Sequence, residues 1–284
     1  MTPEVKKVRA DVAFIPIGGT YTMNAKEADA VNIIKPKVVV PTCFGSIAGS
    51  TKDVKEFINE LDESVKCKIL LDLLEGAQHL THSTIKLTKG PVIYFDPIGI
   101  HDEPKDADMV FITHNHHDHF SKDIIKRIVK ENAHFIAPAD VADLLRKGGI
   151  NNITEVVPNQ SYSVEGINFT TVPSYNINKN YHLKENNWVG YVVEYHNTSY
   201  YIAGDTDLIP EIENLNVDVA FLPVGGTYTM NANEAAKAAN LMKPLVAVPV
   251  HFGSIVGTTE DANTFISELD KSIMGKIMLA DTSK

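Results

Sequence analysis

The sequence predicts an α/β layered domain, on three observations. Short apolar runs of strand length, Val92–Phe95, Met109–Ile112, Phe169–Val172, Gly190–Glu194 and Ser199–Ala203, are interspersed with helical segments near 121–131 and Val141–Lys147. Polar side chains able to bind metals follow directly after several of those runs, as at Ile112-Thr113-His114 and Ala203-Gly204-Asp205. Apolar residues make up 44% and charged residues 22%, the balance of a folded globular chain, and no apolar stretch of about 18 residues offers a membrane span.

Taken in chain order, the elements begin with a repeat. Asp11–Ala25 reads DVAFIPIGGTYTMNA and Asp218–Ala232 reads DVAFLPVGGTYTMNA; the match continues through KPKVVVPTCFGS, from Lys35, and KPLVAVPVHFGS, from Lys243. Each copy reads as strand, glycine turn, helix, strand, loop and helix. Asn231 with Glu234 forms a capping-box pattern that Asn24 with Glu27 repeats, and each helix is expected to stop at its Lys-Pro pair. The second copy delivers His251 at its strand end where the first delivers Cys43. Residues 1–72 thus read as a partial duplicate of the C-terminal βαβα segment. They contain no histidine and lack metal ligands, which leaves 77–284 as a self-sufficient unit. Between the copies, Ile85–Leu87 and Val92–Phe95 read as a hairpin ending in Asp96-Pro97, and His134–Ile136 as a short strand.

The net charge of −10 argues against nucleic acid as a main partner, since such binding needs a basic surface. The start, Met1-Thr-Pro-Glu-Val-Lys-Lys, has no apolar secretory core, and two cysteines, Cys43 and Cys67, suit a reducing compartment. The expectation is a cytoplasmic protein with a small-molecule substrate, no membrane partner, and scope for a homo-oligomer involving the N-terminal duplicate.

Residues 113–119, Thr-His-Asn-His-His-Asp-His, carry the strongest signal. Imidazoles at His114, His116 and His119 and the carboxylate of Asp118 are good ligands for a divalent cation, and a strand ending in such a cluster is a rigid platform. In extended chain His114 and His116 share a side. Asp205, behind a glycine, and His251 add ligands from two further strand ends.

These stretches, His-x-His-x-Asp-His at 114–119, Gly204-Asp205-Thr206-Asp207 and Pro249-Val250-His251-Phe252-Gly253, resemble the metallo-β-lactamase superfamily. More narrowly, with the Leu222–Met230 turn, the chain resembles the branch of metal-dependent hydrolases that includes ascorbate-6-phosphate lactonase. The resemblance covers about 77–284 and implies an αββα four-layer sandwich with a dinuclear site of zinc, or manganese, at one edge of its sheets. It implies that His114 and His116 hold the first metal, that Asp118, His119 and His251 hold the second, and that Asp205 bridges them. His117 falls at a variable position of the motif and is expected at the pocket edge. Oxygen-handling diiron relatives carry glutamate at the position of His116, so His116 points to hydrolysis.

The sequence departs from the family at one place. A third first-metal histidine is expected where Val172-Pro173-Ser174-Tyr175-Asn176 places Asn176. Either the Asn176 carbonyl coordinates, poorly for zinc, or His182 in the same loop completes the site or touches substrate; a solvated His182 is equally open. Tyr175 and Trp188 are expected at the substrate entrance, with a core position for Trp188 the alternative. Asp96 and His82 read as supporting residues rather than ligands, and His79, His101, His134 and His196 as structural.

The implied activity is metal-assisted hydrolysis. A metal-bound hydroxide attacks a carbonyl of a lactone, ester or amide in a small, anionic or neutral substrate, with Asp118 as the catalytic carboxylate orienting the water. A phosphodiesterase on the same fold and a degenerate, non-catalytic metal-binding scaffold are the competing readings.

Overall fold

The computed structural model describes residues 7–19, 22–25, 29–44, 50–62, 64–69 and 73–278. The chain divides into two compact units, 1–73 and 74–284.

The first unit holds strand β1 (Val12–Pro16), helix α1 (Asp29–Ile34), β2 (Val38–Thr42), α2 (Thr51–Asn59) and the short β3 (Lys66–Cys67). Its sheet has the order β1-β2-β3, all parallel, with Val12 opposite Val38 and Val38 opposite Lys66. Alternation along β1 sends Ala13 and Ile15 inward with Val39, Val54 and Phe57, all buried, while Val12 and Phe14 are 48% and 63% exposed.

The second unit starts with β4 (Ala77–Thr81), β5 (Thr84–Leu87), β6 (Ile93–Phe95) and β7 (Ala107–Phe111). Next come α3 (Lys122–Ile128), β8 (Val129–Pro138), α4 (Ala139–Lys147) and β9 (Ile153–Val156). Strands β4 to β9 form a six-stranded sheet in sequence order. The other sheet has seven strands, also in sequence order. Its antiparallel part is β10 (Ser161–Val164), β11 (Ile167–Pro173), β12 (Val189–Tyr195) and β13 (Thr198–Ile202). Its parallel part continues through β14 (Val219–Pro223), α5 (Ala232–Met242), β15 (Val246–Val250), α6 (Thr259–Ser267) and β16 (Met274–Gly275).

Period-two alternation builds the four layers of the predicted αββα sandwich. On one outer face Val110, Ile112, Phe135 and Ala137 pack against Ile125 and Ile128 of α3 and Val141 and Leu145 of α4. On the other, Ala220, Leu222 and Ala247 pack against the alanine-rich face of α5 and Phe265 of α6. Between the sheets, the Phe111 ring lies 5.0 Å from Phe95, 5.0 Å from Phe169 and 5.1 Å from Tyr191. The Tyr191 hydroxyl crosses the gap to donate to the Ile112 carbonyl at 2.7 Å.

Local signals act where expected. Ser121 caps α3, and the Asn231–Glu234 capping box closes at 3.0 and 2.9 Å. Its counterpart at Asn24 involves Glu27, which lies outside the described residues. Helix α5 ends at Lys243, in a left-handed conformation directly before Pro244. Helix α3 is shorter than the expected 121–131. Val129 leaves helical geometry and pairs with Ala107 in the β7–β8 ladder, so sheet pairing takes over the end of the segment.

The C-terminal part of the second unit pairs Val219 with Val246 and Val246 with Met274, the parallel order also seen for Val12, Val38 and Lys66. Asn240 donates to the Glu268 carbonyl at 2.9 Å, as Asn32 does to Glu60 at 2.9 Å. Cys43 and His251 follow their strands with φ of 58° and 59°.

Phe111 is wholly buried among three aromatic rings. Phe111→Ala should lower the unfolding free energy of the second unit by about 3–5 kcal/mol in urea titrations. A loss under about 1 kcal/mol would mean the two sheets are held together elsewhere.

Candidate metal centre

The candidate ligands lie at the carboxyl ends of strands, where the chain leaves a rigid ladder. After β7, Ile112-Thr113 leads into a tight loop in which the amides of His119 and Phe120 both donate to the His116 carbonyl. Asn115 and the Trp188 indole N–H each donate to Asp140 Oδ2 at 2.8 Å, tying this loop to the start of α4. After β13, Gly204 has φ of +64°, and a Cβ there would meet the Thr113 side chain at 3.0 Å. Glycine alone lets the Asp205 turn press against the histidine loop. Gly225 does the same for His251: an added Cβ would meet the His251 carbonyl oxygen at 2.6 Å.

His114, His116, Asp118, His119, Asp205 and His251 are brought together. The rings of His114 and His116 lie 4.8 Å apart, and those of His114 and His119 4.1 Å apart. Asp205 sits between two groups of imidazoles. Its Oδ1 is 3.0 Å from His119 Nε2, and its Oδ2 is 3.2 Å from His251 Nε2 and 3.3 Å from His182 Nε2.

His182 is buried, its ring 5.1 Å from His114 and 4.8 Å from His116, so these three form one cluster. Asn176 does not take that place. Its amide nitrogen donates to Asp207 Oδ1 and to the Tyr228 carbonyl. Its oxygen lies 3.1 Å from His182 Nδ1 and 3.1 Å from the His182 backbone nitrogen. A neutral amide oxygen can only accept, so Asn176 fixes the Nδ1–H tautomer of His182 and leaves Nε2 as a lone pair. Asp207 holds the loop in turn, accepting from Ile177 N and from Lys179 Nζ at 2.7 Å.

A second such relay runs through Asp96, which sequence reading placed beside the site. Asp96 is wholly buried, with φ of 44°. Its Oδ2 lies 2.7 Å from His119 Nδ1 and accepts from the Thr113 hydroxyl at 2.7 Å, and that hydroxyl lies 2.8 Å from His114 Nδ1. One carboxylate oxygen thereby orients both rings with Nε2 inward. Thr113 and Asp140 were not picked out from the sequence; their signal is positional, one preceding the motif and the other opening a helix.

Tyr175 packs in the apolar cluster around α5, and its hydroxyl lies 3.0 Å from Glu211 Oε2 and 3.1 Å from Lys184 Nζ. Trp188 is buried, its ring 5.0 Å from His114 and 4.9 Å from His116, so the tryptophan forms a wall behind the three-histidine cluster. The His117 side chain is 90% exposed, with Nδ1 3.9 Å from Asp118.

Burial, and then the neighbouring His119, pushes the His114 imidazole well below its usual range. Burial would also lower His119, but the carboxylates of Asp205 and Asp96 override it and raise His119 well above its ordinary value. Burial alone would raise Asp205, yet His119 and His251 hold it well below the usual carboxylate range. The buried Nε2 atoms of His82, His114, His119, His182 and His251, with Asp205 Oδ1, have no aligned hydrogen-bond partner. Buried polar atoms left without aligned hydrogen bonds around one small volume are costly unless a cation fills it, so this donor set fits metal ions.

The family model for the beta-lactamase superfamily domain matches residues 2–43 and 77–251. The chain belongs to the metallo-β-lactamase superfamily, among its metal-dependent hydrolases. It is 30% identical over 198 residues to a metal-dependent hydrolase of Thermococcus onnurineus, covering 66% of this chain and 88% of that protein. A metal-dependent hydrolase of Methanopyrus kandleri is 32% identical, over 58% of this chain and 75% of its own length. Among solved structures, a protein of Parabacteroides distasonis described as a metal-dependent hydrolase superposes with a TM-score of 0.61 at 28% identity, over 71% of this chain and 91% of that one.

Because Asp205 and Asp96 favour the protonated form of His119, and Asp205 and Asp118 that of His251, cation uptake at pH 7 should release protons. Calorimetric heats should then vary with buffer ionisation enthalpy, and affinity should fall as pH drops; heats independent of buffer would contradict this. Asp96→Asn keeps a residue tolerant of the left-handed backbone but replaces one acceptor by a donor. It should weaken metal affinity about 10–100-fold in competition titrations with a chelator.

Proposed function

We propose that this chain hydrolyses a carbonyl ester, lactone or amide bond in a small substrate, using one or two zinc ions, with manganese the alternative. The single observation that carries the reading is the convergence of unpartnered imidazole nitrogens on Asp205. Imidazole-rich sites with a few carboxylates suit zinc best among the abundant divalent ions. In this reading His114, His116 and His182 hold one ion, Asp118, His119 and His251 the other, and Asp205 both.

Bound metal would supply a water acidic enough to react near neutral pH and an electrophile for the carbonyl oxygen. Asp118 has its Oδ2 3.5 Å from His82 and 3.8 Å from His251. Burial opposes its charge, but His251 and His82 hold its carboxyl far below the usual range. It therefore stays ionised, able to accept a hydrogen bond from the attacking water and orient it. Asp96 and Asn176 keep three imidazoles in the metal-binding tautomer through the cycle.

The surroundings favour a carbonyl over a phosphodiester. Lys179 and Lys184, on the loop that carries His182, spend their charge on Asp207 and Glu211 at 2.7 and 2.9 Å. The loop beside His182 and the one after His251 instead expose Ile177, Tyr181, Leu183 and Ile255. Apolar groups so placed suit an uncharged or partly apolar substrate body. His117, exposed next to Asp118, is the pocket-edge residue of this reading.

Every residue invoked belongs to 77–284, which we propose is the catalytic domain. We propose that 1–72 is a partial duplicate without ligands, on the strength of its sequence match and matching strand register. A homo-oligomer built through this segment, and action within the cytoplasm, belong to the same proposal.

The test is a substrate panel of lactones, esters, amides and phosphodiesters with the zinc- or manganese-loaded protein. Asp118→Ala is expected to lower kcat/KM on the best carbonyl substrate by about 10²–10⁴-fold. Turnover of phosphodiesters alone would replace this reading by the phosphodiesterase one. Stoichiometric metal with no turnover of any panel member would leave a scaffold.

A further inference from the structure

His82 stands outside the ligand set that the superfamily pattern assigns, yet its surroundings are those of a ligand. It sits in the turn between β4 and β5, where the hairpin register shifts. Its φ of 46° is left-handed, as are those of Asp96 and His251. For a residue with a Cβ that conformation is strained and persists only where surrounding contacts impose it.

Several contacts impose it. The His82 carbonyl accepts from the His251 amide at 2.8 Å and lies 2.7 Å from His79 Nε2. His79 Nδ1 lies 2.9 Å from the Met278 carbonyl, so His79 spans two fixed acceptors. His82 Nδ1 lies 3.1 Å from the Ser254 hydroxyl. The side chain is wholly buried, with its ring 4.0 Å from that of His251, and Nε2 has no hydrogen-bond partner. Its nearest acidic atom is Asp118 Oδ2 at 3.5 Å. One ligand atom each from His82, Asp118, His119 and His251 can be chosen so that all lie within 4.8 Å of one another. Metal–nitrogen and metal–oxygen bonds of about 2.0–2.1 Å put neighbouring donors of a tetrahedral ion roughly 3.3 Å apart, close to the His82–Asp118 separation.

We propose that His82 is a further protein ligand of the second metal position, joining Asp118, His119 and His251 beside the shared Asp205. The inference rests on the metal reading above and deepens it. Counting the shared Asp205, the second position would then have five protein donors and the first four, so the first is the less crowded of the two. The second ion would then serve as an anchor, and the position of His114, His116 and His182 would be the one open to water.

The experiment titrates the full chain, stripped of metal, with Co²⁺ and follows the visible ligand-field bands, with X-ray absorption of the zinc-loaded protein counting imidazoles. His82→Asn is the variant of choice, because asparagine tolerates a left-handed backbone. Its metal-free melting temperature serves as the control for folding. The expected result is a wild type that binds two equivalents and a variant that loses one imidazole and at least about tenfold in affinity for one equivalent only. Ser254→Ala should keep the imidazole count and show a smaller loss. Two equivalents bound by His82→Asn with unchanged bands, imidazole count and affinity would overturn the proposal while leaving the metal reading intact. A folded wild type that takes up no Co²⁺ would overturn both.

Discussion

The centre depends on how three buried rings, those of His114, His119 and His182, are held by their other nitrogen. An imidazole with Nε2 facing a cation must carry its proton on Nδ1, and that proton needs an acceptor inside the protein. Asp96 Oδ2 provides it for His119 directly and for His114 through the Thr113 hydroxyl. The Asn176 oxygen provides it for His182. Asp96 follows β6 and Thr113 follows β7 of one sheet, and Asn176 lies on the loop leaving β11 of the other. The tautomers therefore depend on the sandwich being closed.

Closure in turn is a packing problem. Phe95 and Phe111 from one sheet meet Phe169 and Tyr191 from the other, and the Tyr191 hydroxyl satisfies a carbonyl two residues before His114. Gly204 and Gly225 remove the Cβ atoms that would wedge Asp205 and His251 away. Small residues at these two strand ends thus set the separation of the ligands, and apolar burial supplies the force that holds it.

The same sequence pattern is buried differently in the two units. Val219 and Phe221 are fully buried in the sandwich, while Val12 and Phe14, at matching places in their own parallel pair, are largely exposed. The strand end that carries His251 carries Cys43 there, with the same left-handed turn.

Much of the centre was legible from residue order. His114, His116, Asp118 and His119 are adjacent, and Asp205 and His251 announce themselves by following apolar strands, because a strand end is both rigid and exposed to a cleft. The α/β class followed from strand-length apolar runs, and the Asn231 capping box and the Lys243-Pro244 stop acted as local physics dictates. Tertiary structure alone placed His182, and not Asn176, against His114 and His116. The two are close in sequence and both polar; only the fold shows that the amide spends both ends on neighbours while the imidazole turns inward. It likewise drew His82 from a distant hairpin to His251, through a backbone hydrogen bond that no spacing encodes. Ligand type is written locally, but which lone pairs are left without a partner depends on contacts between segments far apart in the chain.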